Sequence, residues 1–576
     1  MRVAHRSSGL GELLYVGLAA VLLGGVFPAG AQERVPVPVP STAQPGTAER
    51  QLKAPPEAAA SSGASIVAMP IEPQAPPSNA AALSFTLRSL NVDDSHALSE
   101  AQLVQPYAPL LGQTITVDKV YAIANELTAR YRNAGFFLSS VIVPPQSITD
   151  GNVRLRAVEG YIADISVEGA EGHRDGLFKA MARSVLADRP LRNTTLERYL
   201  LLINDLPGMT AQSVLRASQT TPGASELVVR LRTSHVGGTV SGSNRGSRVQ
   251  GPVQVQTAID LDSVLGLEED TTFQYLQAIP APELRLYSFS HSERLTASGL
   301  ELRLSGSHSE SDPALAAELA ALNLATNTTQ GSTELEYPLI RTREANLSLR
   351  TSFTYNDSQT QSLHLLQSQD KLSAVRIGMR ADYADSIGGV SNFDLEFSRG
   401  IHAFGASEFG DRLASRFDGR PEFSKVTLYL ARLQSLGGGF SALIAGSGQF
   451  AFNHLLLPEV FAYGGEYLGR AYDASELVGD SGAAGKLELR YTREQLNQFG
   501  WTAYVFGEEG EVWNRLAALD KESTTQSAVS AGVGVRWSLG SWLSGYVEAD
   551  KPVNHIVASV GNERVRVFGG LQVSLR

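Results

Sequence analysis

The chain reads Val375-Arg376-Ile377-Gly378-Met379-Arg380-Ala381-Asp382-Tyr383 in its C-terminal half, with an apolar side chain at every second position. Successive side chains of a β-strand point to opposite faces, so this stretch predicts a strand with one apolar and one polar face. The same alternation recurs at Leu347, Leu349, Phe353 and Tyr355. A lipid-facing band around a polar lumen requires this pattern, and a soluble β-sandwich is also compatible with it.

Turn-rich alternating strands of this kind continue over residues 234–576. If each strand and its loop use about 20 residues, these ~340 residues provide about 16 strands. The length of the region, the amino-terminal segment and the motifs below favour a barrel over a sandwich. We therefore predict a transmembrane antiparallel β-barrel of about 16 strands over residues 234–576.

The amino terminus has the pattern of a secretory signal peptide. Basic residues Arg2 and Arg6 precede an apolar run at residues 13–23, and Ala29-Gly30-Ala31 resembles a cleavage site. A membrane anchor is the alternative, but the apolar run is shorter than the ~20 residues that a spanning helix needs. We predict a signal peptide over residues 1–31, followed by an extended Pro/Ala-rich linker over residues 32–82, with a short helix near residues 48–53 as the alternative.

Composition excludes several classes of site. The chain has no cysteine, so disulfides and thiolate metal sites are excluded. A net charge of −11 argues against nucleic acid as a partner. The ten histidines are scattered, with no pair at helical spacing for a metal. We expect no metal and no cofactor.

One short string invites an enzymatic interpretation. Gly479-Asp480-Ser481-Gly482 matches the surroundings of the nucleophile in chymotrypsin-like proteases. Such a nucleophile needs a histidine and a carboxylate placed to activate it, and nothing in the sequence around Ser481 indicates them. We expect no catalytic residues and no enzymatic activity.

Two consecutive units of roughly 75 residues have the order β-α-α-β-β, a size that suits small α+β domains. We predict these domains over residues 83–159 and 160–233. In the first, the predicted elements are strand 83–88, helices 99–107 and 117–131, and strands 139–143 and 153–159. In the second, they are strand 162–167, helices 174–186 and 195–205, and strands 210–217 and 226–232.

The first unit resembles the first POTRA domain of the two-partner secretion transporters, the TpsB or ShlB/FhaC/HecB family. The resemblance spans residues 131–162 and includes Tyr131, Gly135, Pro144, Gln146, Gly151, Glu159 and Gly160. It implies two periplasmic POTRA domains ahead of a barrel in the outer membrane of a Gram-negative cell.

Two motifs in the predicted barrel resemble the same family. Residues 464–472 contain Arg470-Ala471-Tyr472, similar to a (V/I)RG(F/Y) loop, and residues 506–510 contain Phe506, Glu508 and Gly510, similar to an FxDxG strand. In that family the loop arginine lies inside the barrel and meets an acidic residue of the wall. The resemblance therefore implies that Arg470 meets Glu508.

The resemblance implies a transporter that captures an unfolded partner in the periplasm and exports it, possibly with activation of that partner. The expected partner is a secreted TpsA-like β-helical exoprotein of haemolysin or adhesin type. The barrel is expected to be a monomer that contacts outer-membrane lipid and no nucleic acid. The alternative is a membrane-protein assembly or insertion factor, which usually has three or more POTRA domains. A passive porin would have no reason to carry POTRA domains or the Arg470 loop.

Overall fold

The computed structural model describes residues 41–44, 46–52, 66–67, 74–169, 175–218, 220–281, 283–313, 320–496, 498–515 and 525–575. The predicted signal peptide and most of the predicted linker lie outside these residues. Among the described helices, none is both long enough and apolar enough to span a membrane.

The first α+β unit packs one long helix on a three-stranded sheet. Its strands pair in the order β3 (Ser89–Asp93), β6 (Asn152–Val158), β5 (Ser140–Ile142), with β3 parallel to β6. The helix α3 (Val117–Asn133) buries Val120, Leu127 and Tyr131 against this sheet. The elements up to this point are α1 (Thr47–Leu52), β1 (Ile66–Val67), β2 (Ser84–Thr86), β3 (Ser89–Asp93), α2 (Glu100–Val104), β4 (Thr114–Thr116), α3 (Val117–Asn133), β5 (Ser140–Ile142) and β6 (Asn152–Val158).

The first predicted strand, residues 83–88, is present as β2, but β2 is not a strand of the main sheet. Residues 84–86 form β2, which pairs with β4 in a separate two-stranded ladder. The sheet strand is β3, where Leu90 is buried and Val92 packs on the same core. The pairing with β4 ends before β3 begins, because the Arg88 N–H donates to the carbonyl of Gly151 (2.8 Å) rather than to β4. Alternation alone did not distinguish these two short strands.

The second unit repeats the order with β7 (Tyr161–Glu168), α4 (Asp175–Ala187), α5 (Asn193–Asn204), β8 (Met209–Ala217) and β9 (Ala224–Thr233). Its sheet order is β1, β8, β9, β7. The predicted elements of this unit match the structure closely. The sheet has one further strand, because β1 of the linker region pairs in parallel with β8.

Sixteen antiparallel strands close into a barrel, which confirms the predicted fold. Closure joins the first strand to the last, for example at Val240 and Val573. The strands are β10 (Val236–Ser243), β11 (Val253–Asp262), β12 (Glu269–Ile279), β13 (Leu284–Arg294), β14 (Glu301–Ser311), β15 (Ala325–Arg341), β16 (Ala345–Ser362), β17 (Leu365–Ala384), β18 (Gly389–Ile401), β19 (Ser424–Gly437), β20 (Phe440–Ala451), β23 (Ser481–Leu496), β24 (Phe499–Trp513), β25 (Thr525–Leu539), β26 (Leu543–Pro552) and β27 (Arg566–Leu575).

The two faces of the wall follow the alternation of the sequence. Leu349 and Ile377 are 46% and 62% exposed on the outside. On the inside, Arg350 Nη1 donates to Asp394 Oδ2 (2.9 Å) across the sheet. Charged side chains therefore pair in the lumen, while the outer face presents the apolar band that lipid requires.

The second α+β unit docks on the turns at one end of the barrel. Arg341 Nη2 lies 2.6 Å from Asp205 Oδ1, and Arg198 Nη2 donates to the carbonyls of Ser298 (2.9 Å) and Pro338 (2.8 Å). These contacts join the end of α5 to the strand turns at this rim. This end is the periplasmic one if the unit is a periplasmic POTRA domain.

The helix α1 lies inside the barrel, so over Thr47–Leu52 the extended linker is wrong and the alternative of a short helix near residues 48–53 is confirmed. Ala48 is buried with Leu276 and Leu286 of the wall. Glu49 accepts a hydrogen bond from Ser309 of β14, and Arg50 Nε donates to Ser475 Oγ (3.0 Å). Burial lowers the pKa of Arg50 to about 10. Composition failed here because the lumen supplies partners that an isolated linker lacks.

A charge on the outer face should destabilise the barrel far more than the same charge inside it. We expect Ile377→Lys to lower the free energy of unfolding by about 2–4 kcal/mol, since lipid at mid-strand cannot solvate an ammonium group. Ser348→Lys is the matched control, because Ser348 faces the lumen and donates to Glu336 Oε1 (2.6 Å). Urea unfolding in lipid vesicles, followed by heat-modifiable gel mobility, measures both. Equal losses would contradict the assignment of the faces.

Candidate functional site

The loop of residues 452–480, between β20 and β23, folds back into the barrel. Two short strands brace it, β21 (Phe461–Tyr463) and β22 (Leu477–Gly479), which pair with each other. The chain reverses at glycines with positive φ, namely Gly464 (117°), Gly465 (109°) and Gly469 (82°). Side chains near the tip are enclosed, since Tyr463 and Ala471 have no exposed surface. The loop is thus a packed element of the lumen.

Arg470 lies among three glutamates of the barrel wall and is only 3% exposed. Its Nε donates to Glu508 Oε1 (2.8 Å), its Nη2 lies 2.8 Å from Glu488 Oε2, and its Nη1 donates to Glu548 Oε2 (3.2 Å). Burial alone would lower the pKa of Arg470, but the three carboxylates raise it above its usual value. The guanidinium is therefore a permanent positive charge at the centre of an acidic wall.

Glu508 holds the loop backbone as well as the guanidinium. Its Oε2 accepts hydrogen bonds from the N–H groups of Gly469 and Arg470, both at 2.8 Å, and from Ser530 Oγ at 3.1 Å. Charge-assisted hydrogen bonds of this kind are among the strongest in proteins. One carboxylate thus fixes both the side chain and the turn that presents it.

Alternate residues of β24 form the surface that receives the loop. The ring centroid of Phe506 lies 3.4 Å from the guanidinium carbon of Arg470, a cation–π contact. Gly510 leaves room for Tyr463, since a Cβ there would lie 2.2 Å from that ring. Phe506, Glu508 and Gly510 therefore supply a ring, a charge and a gap on one face.

The remaining loop residues bond to strands that follow β24 along the same stretch of wall, namely β25 and β27. The carbonyl of Ala471 accepts from Arg566 Nη1 (3.0 Å), and the Tyr472 hydroxyl donates to the carbonyl of Val529 (2.8 Å). The left-handed backbone conformation occurs at Gly469 and not at Ala471. An alanine is therefore accommodated where the family motif has a glycine.

Sequence reasoning missed Glu488, Glu548 and Arg245. Arg245 pairs with Glu548 and its Nη1 donates to the carbonyl of Arg470 (3.3 Å). Glu488 also pairs with Arg490 (2.7 Å). A signal existed, because Leu487-Glu488-Leu489 and Val547-Glu548-Ala549 place a carboxylate between two apolar residues of a strand. Within the described part of the chain, no group of three or more histidine and carboxylate side chains is arranged for a metal ion.

A second buried cluster, centred on Asp480, anchors the base of the loop. The Asp480 carboxylate pairs with Arg416 (2.6 Å) and His454 Nδ1 (2.7 Å) and accepts from the N–H groups of Leu455 (2.8 Å) and Arg515 (3.0 Å). Burial would raise the pKa of Asp480, but the His454 hydrogen bond and the Arg416 charge lower it to about 2. These contacts join three loops that leave the same end of the barrel.

The string that resembles a protease motif belongs to this anchor. Ser481 is the first residue of β23 and only 1% exposed. Its Oγ accepts a hydrogen bond from the N–H of Ala451, the last residue of β20. The hydroxyl therefore joins the end of β20 to the start of β23, the two strands that the loop connects.

The POTRA signature residues are distributed through the first α+β unit, where they hold it together. The Tyr131 hydroxyl donates to Glu159 Oε1 (2.9 Å), which also accepts from the N–H groups of His96 (2.7 Å) and Ala97 (2.8 Å). The amide of Gln146 bonds to both the N–H (2.8 Å) and the carbonyl (2.6 Å) of Arg154. These contacts fix the domain's own loops.

The other signature residues allow close approaches of the backbone. A Cβ on Gly151 would lie 2.0 Å from the carbonyl oxygen of Thr86, and one on Gly160 would lie 2.3 Å from that of Leu138. Gly135 has φ of 89°, and its carbonyl accepts from the N–H of Asn193 at the start of α5 (2.7 Å). The carbonyl of Pro144 accepts from Gln146 Nε2 at 3.4 Å. The signature thus also links the two α+β units.

Two family models match the chain. The model of the haemolysin secretion/activation protein family ShlB/FhaC/HecB matches residues 223–537, more than half of the chain. The model of the ShlB-type POTRA domain matches residues 85–160. Both agree with the resemblance that the sequence motifs indicated.

Individual relatives have low sequence identity to this chain but align with most of its length. The heme/hemopexin transporter protein HuxB of Haemophilus influenzae (strain 86-028NP) is 22% identical over 438 residues, 73% of this chain and 76% of HuxB. The outer membrane transporter CdiB of Dickeya dadantii (strain 3937) is 24% identical over 489 residues, 82% of this chain and 83% of CdiB.

A solved structure shows the same architecture. The structure of CdiB from Escherichia coli has a TM-score of 0.71 at 18% identity and covers 88% of this chain and 93% of that one. At that identity the likeness shows the fold, and the family match favours export of a partner protein over the assembly-factor alternative. The chain belongs to the haemolysin secretion/activation protein family ShlB/FhaC/HecB and is an outer-membrane transporter of two-partner secretion.

Proposed function

We propose that this transporter exports a β-helical exoprotein of haemolysin or adhesin type, without a catalytic step of its own. Residues 83–159 and 160–233 are the POTRA domains that capture the unfolded partner, and residues 234–576 form the conduit. An extended polypeptide is captured by adding a strand to a sheet edge, which uses main-chain hydrogen bonds and tolerates varied sequence. Folding of the partner outside the cell then draws the remaining chain outward.

The contact of Arg470 with three wall glutamates carries the proposal for the loop. Without the guanidinium, Glu488, Glu508 and Glu548 would face one lumen site with fewer compensating charges. Removing one partner from a fully buried pair costs on the order of 3–5 kcal/mol, and a wet lumen reduces that cost. This energy suffices to displace a loop while sixteen paired strands stay intact. Arg470 therefore seats the loop in the position that secretion needs.

Arg470→Ala should strongly reduce secretion of the partner and leave barrel assembly nearly intact. Glu508→Ala should give a similar or milder loss, because Glu488 and Glu548 still hold the arginine. The double variant should lose less than the sum of the single losses, since both remove one interaction. Quantitative immunoblots of the partner in the medium, normalised to the amount of folded barrel, measure secretion for each variant of this double-mutant cycle.

Arg536→Ala is the matched control for this cycle. Arg536 Nη1 lies 3.1 Å from Glu488 Oε1, so its loss removes a positive charge from the same wall without touching the loop. Arg470→Lys should be intermediate, because an ammonium cannot reproduce the fork that reaches several carboxylates. Additive losses at Arg470 and Glu508, or an Arg536→Ala variant as defective as Arg470→Ala, would contradict the proposed role.

Deletion of residues 84–159 tests the role of the first POTRA domain. We expect secretion to be abolished while the barrel still reaches the outer membrane, because the barrel ladders begin at Val236. Membrane fractionation measures the barrel, and the partner is measured in the medium. Normal export at normal barrel abundance would show that this domain does not capture the partner.

The partner's fold can be tested directly. Culture media from cells with and without the transporter should differ in one large secreted protein. We expect circular dichroism of that purified protein to show mainly β-structure with little helix. A predominantly helical partner would contradict the β-helical proposal while leaving the transport function in place.

A further inference from the structure

Two arginines lie on the lipid-facing side of the wall, towards the end of the barrel that is opposite the POTRA domains. Arg399 occupies an outward position of β18, two residues after Phe397, which is 44% exposed. Arg515 follows β24, and its guanidinium carbon lies 5.6 Å from the ring centroid of Phe450, an outward residue of β20. Both arginines are exposed. Positive charge is therefore present where the wall otherwise presents apolar side chains.

The two guanidinium groups are bound only to neutral oxygens of one short junction. Arg399 Nη1 donates to Ser424 Oγ (2.7 Å), and Arg515 Nη1 donates to the carbonyl of Phe452 (2.5 Å). The N–H of Phe452 donates in turn to the carbonyl of Ser424 (2.9 Å), so two bonded residues separate the guanidinium groups. Among the residues that the structure describes, no carboxylate forms an ion pair with either arginine, and this includes the exposed Glu422 nearby.

Arg399 lies at the level of lipid headgroups. It is ten residues beyond Gly389, the first residue of β18 at the POTRA end of the barrel. At about 3.4 Å per residue and a strand tilt of about 40°, this length rises about 26 Å, close to the ~25 Å height of the apolar band of such barrels. Aromatic residues mark the edges of that band. Phe450 and Phe452 fit this level, with ring centroids 5.1 Å apart.

A second aromatic pair lies on the other side of Arg399. Phe353, Val375 and Arg399 are register neighbours on β16, β17 and β18. Phe404, from the loop after β18, is 77% exposed, and its ring centroid lies 5.3 Å from that of Phe353. The arginines are thus flanked by aromatic side chains on both sides. This arrangement suits a ligand that carries anionic groups next to hydrocarbon.

We propose that Arg399 and Arg515 bind the phosphates of lipopolysaccharide, the phosphorylated glycolipid of the outer leaflet. A guanidinium group matches phosphate oxygens in a bidentate geometry. A charged side chain on the lipid face needs a partner, and headgroup phosphates are the anions at this level. The acyl chains of the same lipid lie below them, along outward residues such as Phe397 and Ile377, which are 44% and 62% exposed.

Arg515 connects this lipid site to the buried anchor of the loops. Its backbone N–H donates to the Asp480 carboxylate (3.0 Å), while its side chain reaches Phe452 at the start of the Arg470 loop. A phosphate on the guanidinium group therefore holds Arg515 from the membrane side, and Asp480 holds it from within. Since a ligand that binds only the folded state stabilises that state, bound lipopolysaccharide stabilises the loop bases.

Arg399→Gln with Arg515→Gln tests the site in the purified full-length protein. Glutamine keeps a donor for Ser424 Oγ and the Phe452 carbonyl but removes both charges. The probe is lipid A with both phosphates, added to the protein in neutral detergent and counted by native mass spectrometry. We expect the double variant to bind it at least about tenfold more weakly, because two charge-assisted contacts are lost. Wild-type affinity in a double variant with normal heat-modifiable gel mobility would overturn the proposal.

Arg412→Ala is the matched control. Arg412 is an exposed arginine of the loop between β18 and β19. The carbonyl of the adjacent Leu413 accepts from the N–H of Gln369 (2.6 Å), six residues before Val375 on β17. Six residues of strand place Arg412 about 20 Å along β17 from the headgroup level. We expect wild-type affinity for lipid A, and a loss equal to that of the double variant would show a general charge effect and overturn the site.

The wild-type protein with other ligands identifies the source of the phosphate and needs no variant to fold. We expect dephosphorylated lipid A and phosphatidylglycerol each to bind at least about tenfold more weakly than lipid A, since the first lacks the anions and the second lacks the paired phosphates. Inorganic phosphate should not displace lipid A. Equal binding of either lipid, or displacement by inorganic phosphate at equal concentration, would overturn the assignment to lipopolysaccharide.

Discussion

Closure of the sheet is the constraint on which the rest of the structure depends. Hydrocarbon offers no hydrogen-bond partners, so each strand in the membrane must find its partners in neighbouring strands. Pairing of β10 with β27, from Gly238 opposite Leu575 to Ser243 opposite Gly570, supplies the last ladder. Closure also creates an interior shielded from lipid. Buried charges such as Arg470, Glu508 and Glu548 are tolerable only because this interior holds their partners.

Charge compensation then decides what fills the interior. The wall strands β23, β24 and β26 each contribute one glutamate, and Arg470 on the loop reaches all three. Loop and wall are thus complementary, since each carries a charge that the other must neutralise. The helix α1 follows the same rule, with Glu49 bonded to the wall and Arg50 to the loop. Both elements therefore combine charge pairing with apolar packing against the wall.

Local patterns of sequence predicted much of the architecture, because the periodicity of a strand or helix is set by residues that are close together in the chain. The alternation around Ile377 predicted a strand and its apolar face, and the helical spacing of Val120, Leu127 and Tyr131 located α3. The meeting of Arg470 with Glu508 came from motif resemblance. Glu488 and Glu548 were missed because their approach to Arg470 depends on the register of several strands, which no short stretch encodes. A short helix at α1 was only the alternative to an extended linker, because its partners lie hundreds of residues away, as for Arg50 and Ser475.

The Asp480 cluster divides the loops at this end of the barrel into buried bases, which it holds together, and exposed parts, which it does not contact. One buried carboxylate binds Arg416, His454 and the backbone of Arg515, so three loops share a single foundation. In the loop between β18 and β19, Phe404 and Phe417 are 77% and 67% exposed, and neither is among the partners of Asp480. Exposed side chains of these loops can therefore be replaced while the buried carboxylate keeps the loop bases together.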